Sequence, residues 1–200
     1  MTRDRADAPS PFAHTNRKGV TYYLHEGRTK SGKPRYFFAR SVKDGSLAQL
    51  PPGYEVSESI NGVVSVRRRR EGEPAIPDDD LAVVQAELSR HPHLRHHVAR
   101  TSNDAIVIYE PDVNLSDLGD LARSIGLPPA RKESFLADRL RKARFSPVLR
   151  FVRDGKAYIV ERMTYRGDGG WSYPLGSGPL DLLVRKLVRK VGTDDFFELM

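Results

Sequence analysis

Four histidines stand within the seven residues HPHLRHH at 91–97. On a helix, His93 and His97 would share a face and offer two neutral imidazoles, the donor type that holds a divalent cation. Glu110 and Asp112 downstream could add oxygen ligands. Pro92 interrupts a helix where the cluster begins, and neither a cysteine nor an HExxH arrangement completes the set. A solvated helix end is therefore the better reading, and no metal residue is assigned. Glu110, Asp112 and Glu161 lie beside expected strands, as the acids of metal-dependent nucleases do, and Pro111-Asp112 gives the PD of restriction-type enzymes. The acid-x-lysine of those enzymes is missing, because Met163 stands two places after Glu161. Without a G-x-S-x-G, a GK[ST] phosphate loop or a dinucleotide fingerprint, no catalytic or cofactor-binding residue is assigned either.

Charge is the stronger signal. The chain has 200 residues and a formal net charge of +7, and residues 17–70 hold twelve lysines and arginines against four acids. Residues 71–200 hold nineteen against twenty, so the whole excess sits in the first third. Cations gathered in this way can act on a polyanion, whereas scattered ones chiefly aid solubility.

The elements that must carry those cations follow from period and turn chemistry. Val20, Tyr22 and Leu24 alternate with Thr21, Tyr23 and His25, the two-residue repeat of a half-buried strand. A second strand is expected over 35–41. Between them, GRTKSGKP supplies Gly27, Gly32 and Pro34 for a hairpin loop that carries Arg28, Lys30, Lys33 and Arg35. Of the aromatics, Tyr23, Tyr36 and Phe38 are expected on the face opposite Val20, Tyr22 and Leu24, open to stacking on bases. Asn61-Gly62 predicts a type I′ turn between strands at 54–60 and 63–68, with Arg67 and Arg69 pointing away from Arg68 and Arg70. Segment 42–53 is expected to be a connector.

Lys18, Gly19, Thr21, Tyr22, Tyr23, Leu24, His25, Gly27, Thr29, Gly32, Lys33, Pro34 and Tyr36 follow the pattern K-G-x-T-Y-Y-L-H-x-G-x-T-x-x-G-K-P-x-Y. This stretch resembles the opening of an uncharacterised bacterial family, with the likeness best over residues 18–66. PVLRF and FFELM in the second half are similar to the same family. The resemblance implies no activity, only that the two-part architecture recurs. In residue types the hairpin is also similar to the three-stranded arm domains of phage-type integrases, whose basic and aromatic strand residues meet DNA. No recombinase catalytic set follows it here.

EGEPAIPDDD changes the composition abruptly after four arginines. The organisation predicted is a disordered N-terminus at 1–16, a basic antiparallel β module at 17–70, a linker at 71–80 and an α+β module at 81–200. In the last of these, Asp80 or one of its neighbours is expected to cap a helix from Leu81, NDAIVIYEP to form a buried strand, and Ser116 and Gly126 to start and stop a second helix. Residues 128–145 predict a third helix, and strands follow around Asp154-Gly155 and around Gly167–Gly170. A terminal helix carries the stripe Leu180, Val184, Leu187 and Val191. Ala122 and Gly126 have helix-turn-helix spacing, but Lys132 falls where that motif buries an aliphatic side chain, so an ordinary helical hairpin is expected. The fold class is thus α+β: a small antiparallel β-meander module, then a short antiparallel sheet covered by helices.

The expected role is non-specific binding of DNA or RNA phosphates by Arg28, Lys30, Lys33, Arg35, Arg67, Arg68, Arg69 and Arg70, with Tyr23 or Tyr36 stacking on bases. The alternatives are an interaction adaptor that meets a protein partner through the second module, or a metal-dependent nuclease. No run is long enough to span a bilayer and no leader is evident, which predicts a cytoplasmic chain without a membrane partner. The absence of cysteine removes disulfides and thiolate chemistry from consideration.

Overall fold

The computed structural model describes residues 10–72, 74–164, 170–172 and 174–198. The chain divides into two compact units, Met1–Gly72 and Glu73–Met200. With Glu71 included, the first holds fourteen lysines and arginines against seven acids, and the second holds nineteen of each.

The first unit contains two small antiparallel sheets. One has the order β1 (Ala13–Thr15), β2 (Thr21–Arg28), β3 (Pro34–Ala39), and the other pairs β4 (Tyr54–Glu58) with β5 (Val64–Arg68). Residues 10–16, expected to be disordered, are ordered by the edge of β2: Ala13 pairs with Tyr23 and Thr15 with Thr21. Edge N–H and C=O groups are strong templates for another strand, and these two segments satisfy each other. Beyond β1 the connector at 42–53 takes over that edge. Leu47 N–H donates to the Leu24 carbonyl at 3.0 Å and Glu26 N–H to the Gly45 carbonyl at 2.8 Å. Gly45 has a φ of +83°, and a Cβ there would stand 2.8 Å from the Glu26 carbonyl oxygen, so only glycine allows the approach.

Asn16 joins the two sheets. It is buried, its Nδ2 donates to the Gly62 carbonyl at 2.6 Å, and its Oδ1 accepts from Lys18 N–H at 3.0 Å and Val20 N–H at 2.9 Å. Beside it Glu58 accepts from Arg17 N–H at 2.7 Å and from His14 Nε2 at 2.9 Å. Burial pushes the Glu58 carboxyl up, but those hydrogen bonds and the nearby positive charge outweigh it, leaving the group below its usual range.

The β4–β5 turn differs from the type I′ geometry that Asn61-Gly62 suggests. Gly62 has a φ of +76°, whereas Asn61 is not among the residues with positive φ. Gly62 N–H donates to the Ser59 carbonyl and Ser59 N–H to the Val63 carbonyl, so Ile60, Asn61 and Gly62 form a three-residue loop. A single glycine at its third place supplies the one left-handed conformation this loop needs.

The second unit is a five-stranded antiparallel sheet ordered β10-β9-β8-β7-β6. Its strands are β6 (Val98–Ser102), β7 (Ala105–Pro111), β8 (Phe145–Asp154), β9 (Ala157–Arg162) and β10 (Gly176–Gly178). Its helices are α1 (Asp78–Arg90), α2 (Leu115–Ser124), α3 (Pro129–Lys142), α4 (Leu180–Leu187) and α5 (Asp194–Phe197). Ile106, Ile108, Leu149, Phe151 and Val160 point from one sheet face into a core with Val84 and Leu88 of α1 and Leu183, Val184 and Leu187 of α4. Each such fully buried aliphatic or aromatic side chain contributes about 1.5–3 kcal/mol. The architecture is the expected α+β class.

Several boundaries differ from the sequence reading. Residues of the expected linker belong to this core: Ile76 is buried, the Ala75 carbonyl accepts from Arg153 at 2.8 Å, and α1 begins at Asp78. Pro77 holds the cap position and neither Asp80 nor its neighbours cap the helix by a side-chain hydrogen bond; the Asp80 carboxylate instead accepts from the Tyr158 hydroxyl at 2.5 Å, tying α1 to the sheet. Three acids in the first turn still suit the positive end of the helix dipole. At α2 the start is set by Asn114, whose Oδ1 accepts from Asp117 N–H at 3.3 Å, and Ser116 lies inside the helix. The stop at Gly126 is as the sequence implies, with a φ of +68° and Leu127 N–H returning to the Ala122 carbonyl. β6 and β10 have no clear sequence signal, because VARTS is half polar and GSG offers one small, exposed serine side chain between two glycines. Both exist by pairing with a neighbour's backbone. Of the turn expected around Gly167–Gly170, residues 165–169 lie outside the described residues. No helix among the described residues is long and apolar enough to cross a membrane.

Candidate nucleic-acid interface and a histidine cleft

The β2–β3 register decides which side chains share a face. Leu24 pairs with Phe38, Glu26 with Tyr36 and Arg28 with Pro34, while His25 pairs with Phe37 and Gly27 with Arg35. Tyr36 and Phe38 therefore lie on the Leu24 face, not with Tyr23 as the alternation of each strand alone suggests. A five-residue loop separates the strands, and its parity is invisible until the pairing is known. Phe38 packs inward against Phe12 with ring centroids 6.3 Å apart, and Tyr36 meets Tyr54 edge-on at 5.0 Å. Tyr23 is half-buried.

The aromatic left open is Phe37, 38% exposed. It stacks on His25 at 5.5 Å, and the Cβ that Gly27 lacks would crowd its ring at 3.2 Å. His25 is buried and held in one tautomer: Nδ1–H donates to the Tyr23 carbonyl at 2.8 Å, and Nε2 accepts from Lys43 N–H at 3.1 Å. A rigid ring thus backs Phe37, with Arg35 next along the same face. Strand parity could have found Phe37 had the register been known.

The cations divide into three groups. Lys30, Lys33 and Arg35 are exposed at the hairpin end and form no ion pair among the described residues. Arg28, on the opposite face from Arg35, reaches the Gly32 carbonyl at 3.5 Å. In the arginine run, Arg67 is neutralised by its cross-strand partner Glu55 at 2.7 Å, and the next residue, Arg68, points the other way, 5.7 Å from the centre of the Tyr54 ring. Such an exposed ion pair contributes only about 0–1 kcal/mol to stability, but it removes one cation from the local field. Arg69 N–H donates to the Gly53 carbonyl at 2.8 Å, and Arg69 and Arg70 are exposed just past β5. The contact series Arg68, Tyr54, Tyr36 joins the arginine run to the basic hairpin, although more than thirty residues of chain separate them. A cleft of about 610 Å³ opens beside Tyr54, Arg68 and Arg69, with Glu71 on its rim.

In the second unit the acids of the nuclease reading do not converge. Asp112 accepts from Arg144 N–H at 2.9 Å, and Glu161 pairs with Arg150 at 2.5 Å beneath Trp171, over whose ring the Arg150 guanidinium lies at 4.4 Å. His93 and His97 do not share a helix face, because α1 stops at Arg90 and Pro92–Leu94 is a single 3-10 turn. Among the described residues no three histidine or acidic side chains are placed to hold a metal ion.

What the fold does bring together is His97 and Glu110, Nε2 to Oε2 at 4.0 Å, on the wall of a cleft of about 490 Å³. The His97 side chain is 11% exposed, and neither ring nitrogen has a hydrogen-bond partner of good geometry among the described residues. Burial, helped by the neighbouring His93 and His96, pushes the His97 imidazole down to about 4, against a weaker pull from the Leu94 carbonyl. Burial pushes the Glu110 carboxyl up. Because unfolded His97 takes its proton near pH 6.5 and folded His97 only near 4, the unfolded state holds more protons between those values. Stability is therefore lost as pH falls through that window. Replacing His97 with leucine is expected to flatten this limb, stabilising the second unit by about 2 kcal/mol more at pH 5 than at pH 7.5. Urea unfolding of both proteins at the two pH values checks it, and parallel pH dependences would refute it.

Comparison of the chain with protein families, with curated proteins and with solved structures finds no match.

Proposed function

We propose that the N-terminal unit binds nucleic acid, chiefly through backbone phosphates. The observation that carries this reading is the junction of two basic segments through Tyr36, Tyr54 and Arg68, beside lysines and an arginine that no acid neutralises among the described residues. Phosphate contacts of this kind release condensed counterions, so affinity falls steeply with salt and varies little with sequence. The exposed Phe37 adds a stacking surface for an unpaired base next to Arg35. This favours single strands over duplex, since a paired base keeps its faces covered.

The test is a titration of labelled single-stranded and duplex DNA and of RNA with the full chain at 50, 100 and 200 mM salt. Binding that weakens by at least tenfold across the series, with little dependence on sequence, is expected. No binding at 50 mM, or binding insensitive to salt, overturns the proposal.

A second reading, a protein-interaction adaptor, rests on Leu121 and Ile125. These side chains are four apart on the α2 side of the α2–α3 hairpin and are 51% and 64% exposed. Replacing both with serine should leave stability unchanged if a partner covers them only in the complex, and should abolish recovery of a defined partner from native cells. Equal recovery with both variants in place sinks that reading.

A further inference from the structure

The histidine cleft of the second unit belongs to neither reading, and it carries an unmet hydrogen-bonding need. Beyond a weak pull from the Leu94 carbonyl, the two shielded imidazole nitrogens meet no hydrogen-bond partner among the described residues, a cost that a fold ordinarily avoids. Glu110 lines the same cleft as that ring and is the more open of the two, its side chain 44% exposed against 11% for His97. The group a ligand meets is thus a carboxylate, which accepts hydrogen bonds and offers none. Pro92, Pro111, Val113 and Leu115 give the cleft apolar walls, and its volume suits a nucleobase with its sugar. At the rim Arg95 spends its Nε on His96 Nε2 at 2.8 Å, leaving the other guanidinium N–H groups for an anion.

Together these features select a flat heterocycle with two adjacent N–H donors on one edge and a negative charge at the other end. Guanine has that edge in N1–H and its 2-amino group, which match the two oxygens of one carboxylate. Adenine lacks the ring N–H, and hypoxanthine lacks the amino group. A free guanidinium has the donors, but Arg95 repels it. We propose that this cleft binds a guanine nucleotide, its base edge on Glu110 and its phosphate toward Arg95. His97 is a positioning residue, turning a ring N–H onto the Glu110 carboxylate once the base draws that group into place. The site lies within the second unit and stands independently of nucleic-acid binding by the first.

Calorimetric titration of the full chain with GMP, IMP and AMP tests the assignment. GMP is expected to bind at least tenfold more tightly than either analogue. Glu110→Gln, which offers one acceptor and one donor where guanine needs two acceptors, should cost GMP at least tenfold while leaving the melting temperature within 2 °C, roughly the shift of a sub-kcal/mol change. The His97 ring ¹⁵N resonances should move on adding GMP to the native chain but not to the Glu110→Gln protein. A guanine-containing RNA trinucleotide distinguishes sources: tighter binding than GMP points to an unpaired base of a strand, and weaker binding to the free nucleotide. Equal binding of GMP, IMP and AMP overturns the proposal, as does no binding of GMP or the trinucleotide at millimolar concentration. The wild-type comparison decides the matter even where a variant folds poorly.

Discussion

Replacing Lys30, Lys33 and Arg35 together with alanine is expected to weaken nucleic-acid binding by roughly 30- to 100-fold at 100 mM salt and to lower the salt slope by about 2–3. Each lost phosphate contact removes close to one released counterion, so the slope reports how many of the three cations touch phosphate. These are the residues to change because they are exposed and form no ion pair among the described residues, whereas Arg67 already spends its charge on Glu55. Arg67→Ala alone should accordingly alter affinity less than threefold. Phe37→Ala should weaken single-strand binding while leaving duplex binding and the salt slope as they were, because stacking on an unpaired base carries no counterion term. Binding by the triple variant at wild-type strength and slope would refute the hairpin as the contact surface.

The second large effect concerns stability of the same unit. Asn16→Ala is expected to destabilise it by about 3 kcal/mol, because it leaves the Gly62 carbonyl and the Lys18 and Val20 N–H groups without the side chain that satisfies them. Asn16→Asp keeps the two acceptor contacts but sets a buried carboxylate oxygen against the Gly62 carbonyl, so a loss at least as large is expected at neutral pH. Native-state hydrogen exchange of the intact chain resolves the first unit from the second and reads both values. A cost below about 0.5 kcal/mol for Asn16→Ala would show that the two sheets hold together without it.

Local chemistry reveals much of this fold. Alternation over 20–25 marks β2, the glycine at 62 marks a turn whatever its type, and Gly126 ends α2 where a left-handed residue is needed. The stripe Leu180, Val184 and Leu187 anticipates the buried side of α4, because a helix repeats over a distance the chain itself displays. The failures share a different character. The disorder expected at 10–16, the cap assigned to Asp80 and the shared face of Tyr23 and Tyr36 all depend on what a segment meets after the chain returns. β1 exists because the edge of β2 is open, Asp80 is claimed by Tyr158 from 78 residues away, and Tyr36 changes face with the parity of a loop.

The candidate sites divide along the same line. That the leading third is cationic is a count, and counts need no coordinates. Which cations remain unpaired is a matter of cross-strand neighbours: Glu55 silences Arg67 only because β4 and β5 pair in one register. Likewise His97 and Glu110 are thirteen residues apart in separate strands or their approaches, and no spacing rule relates them. Composition and periodicity settled charge, class and the positions of turns, since those act between residues close along the chain. Long-range pairing alone chose the exposed ring, the free cations and the unpartnered imidazole, because each depends on which distant segment excludes water from it.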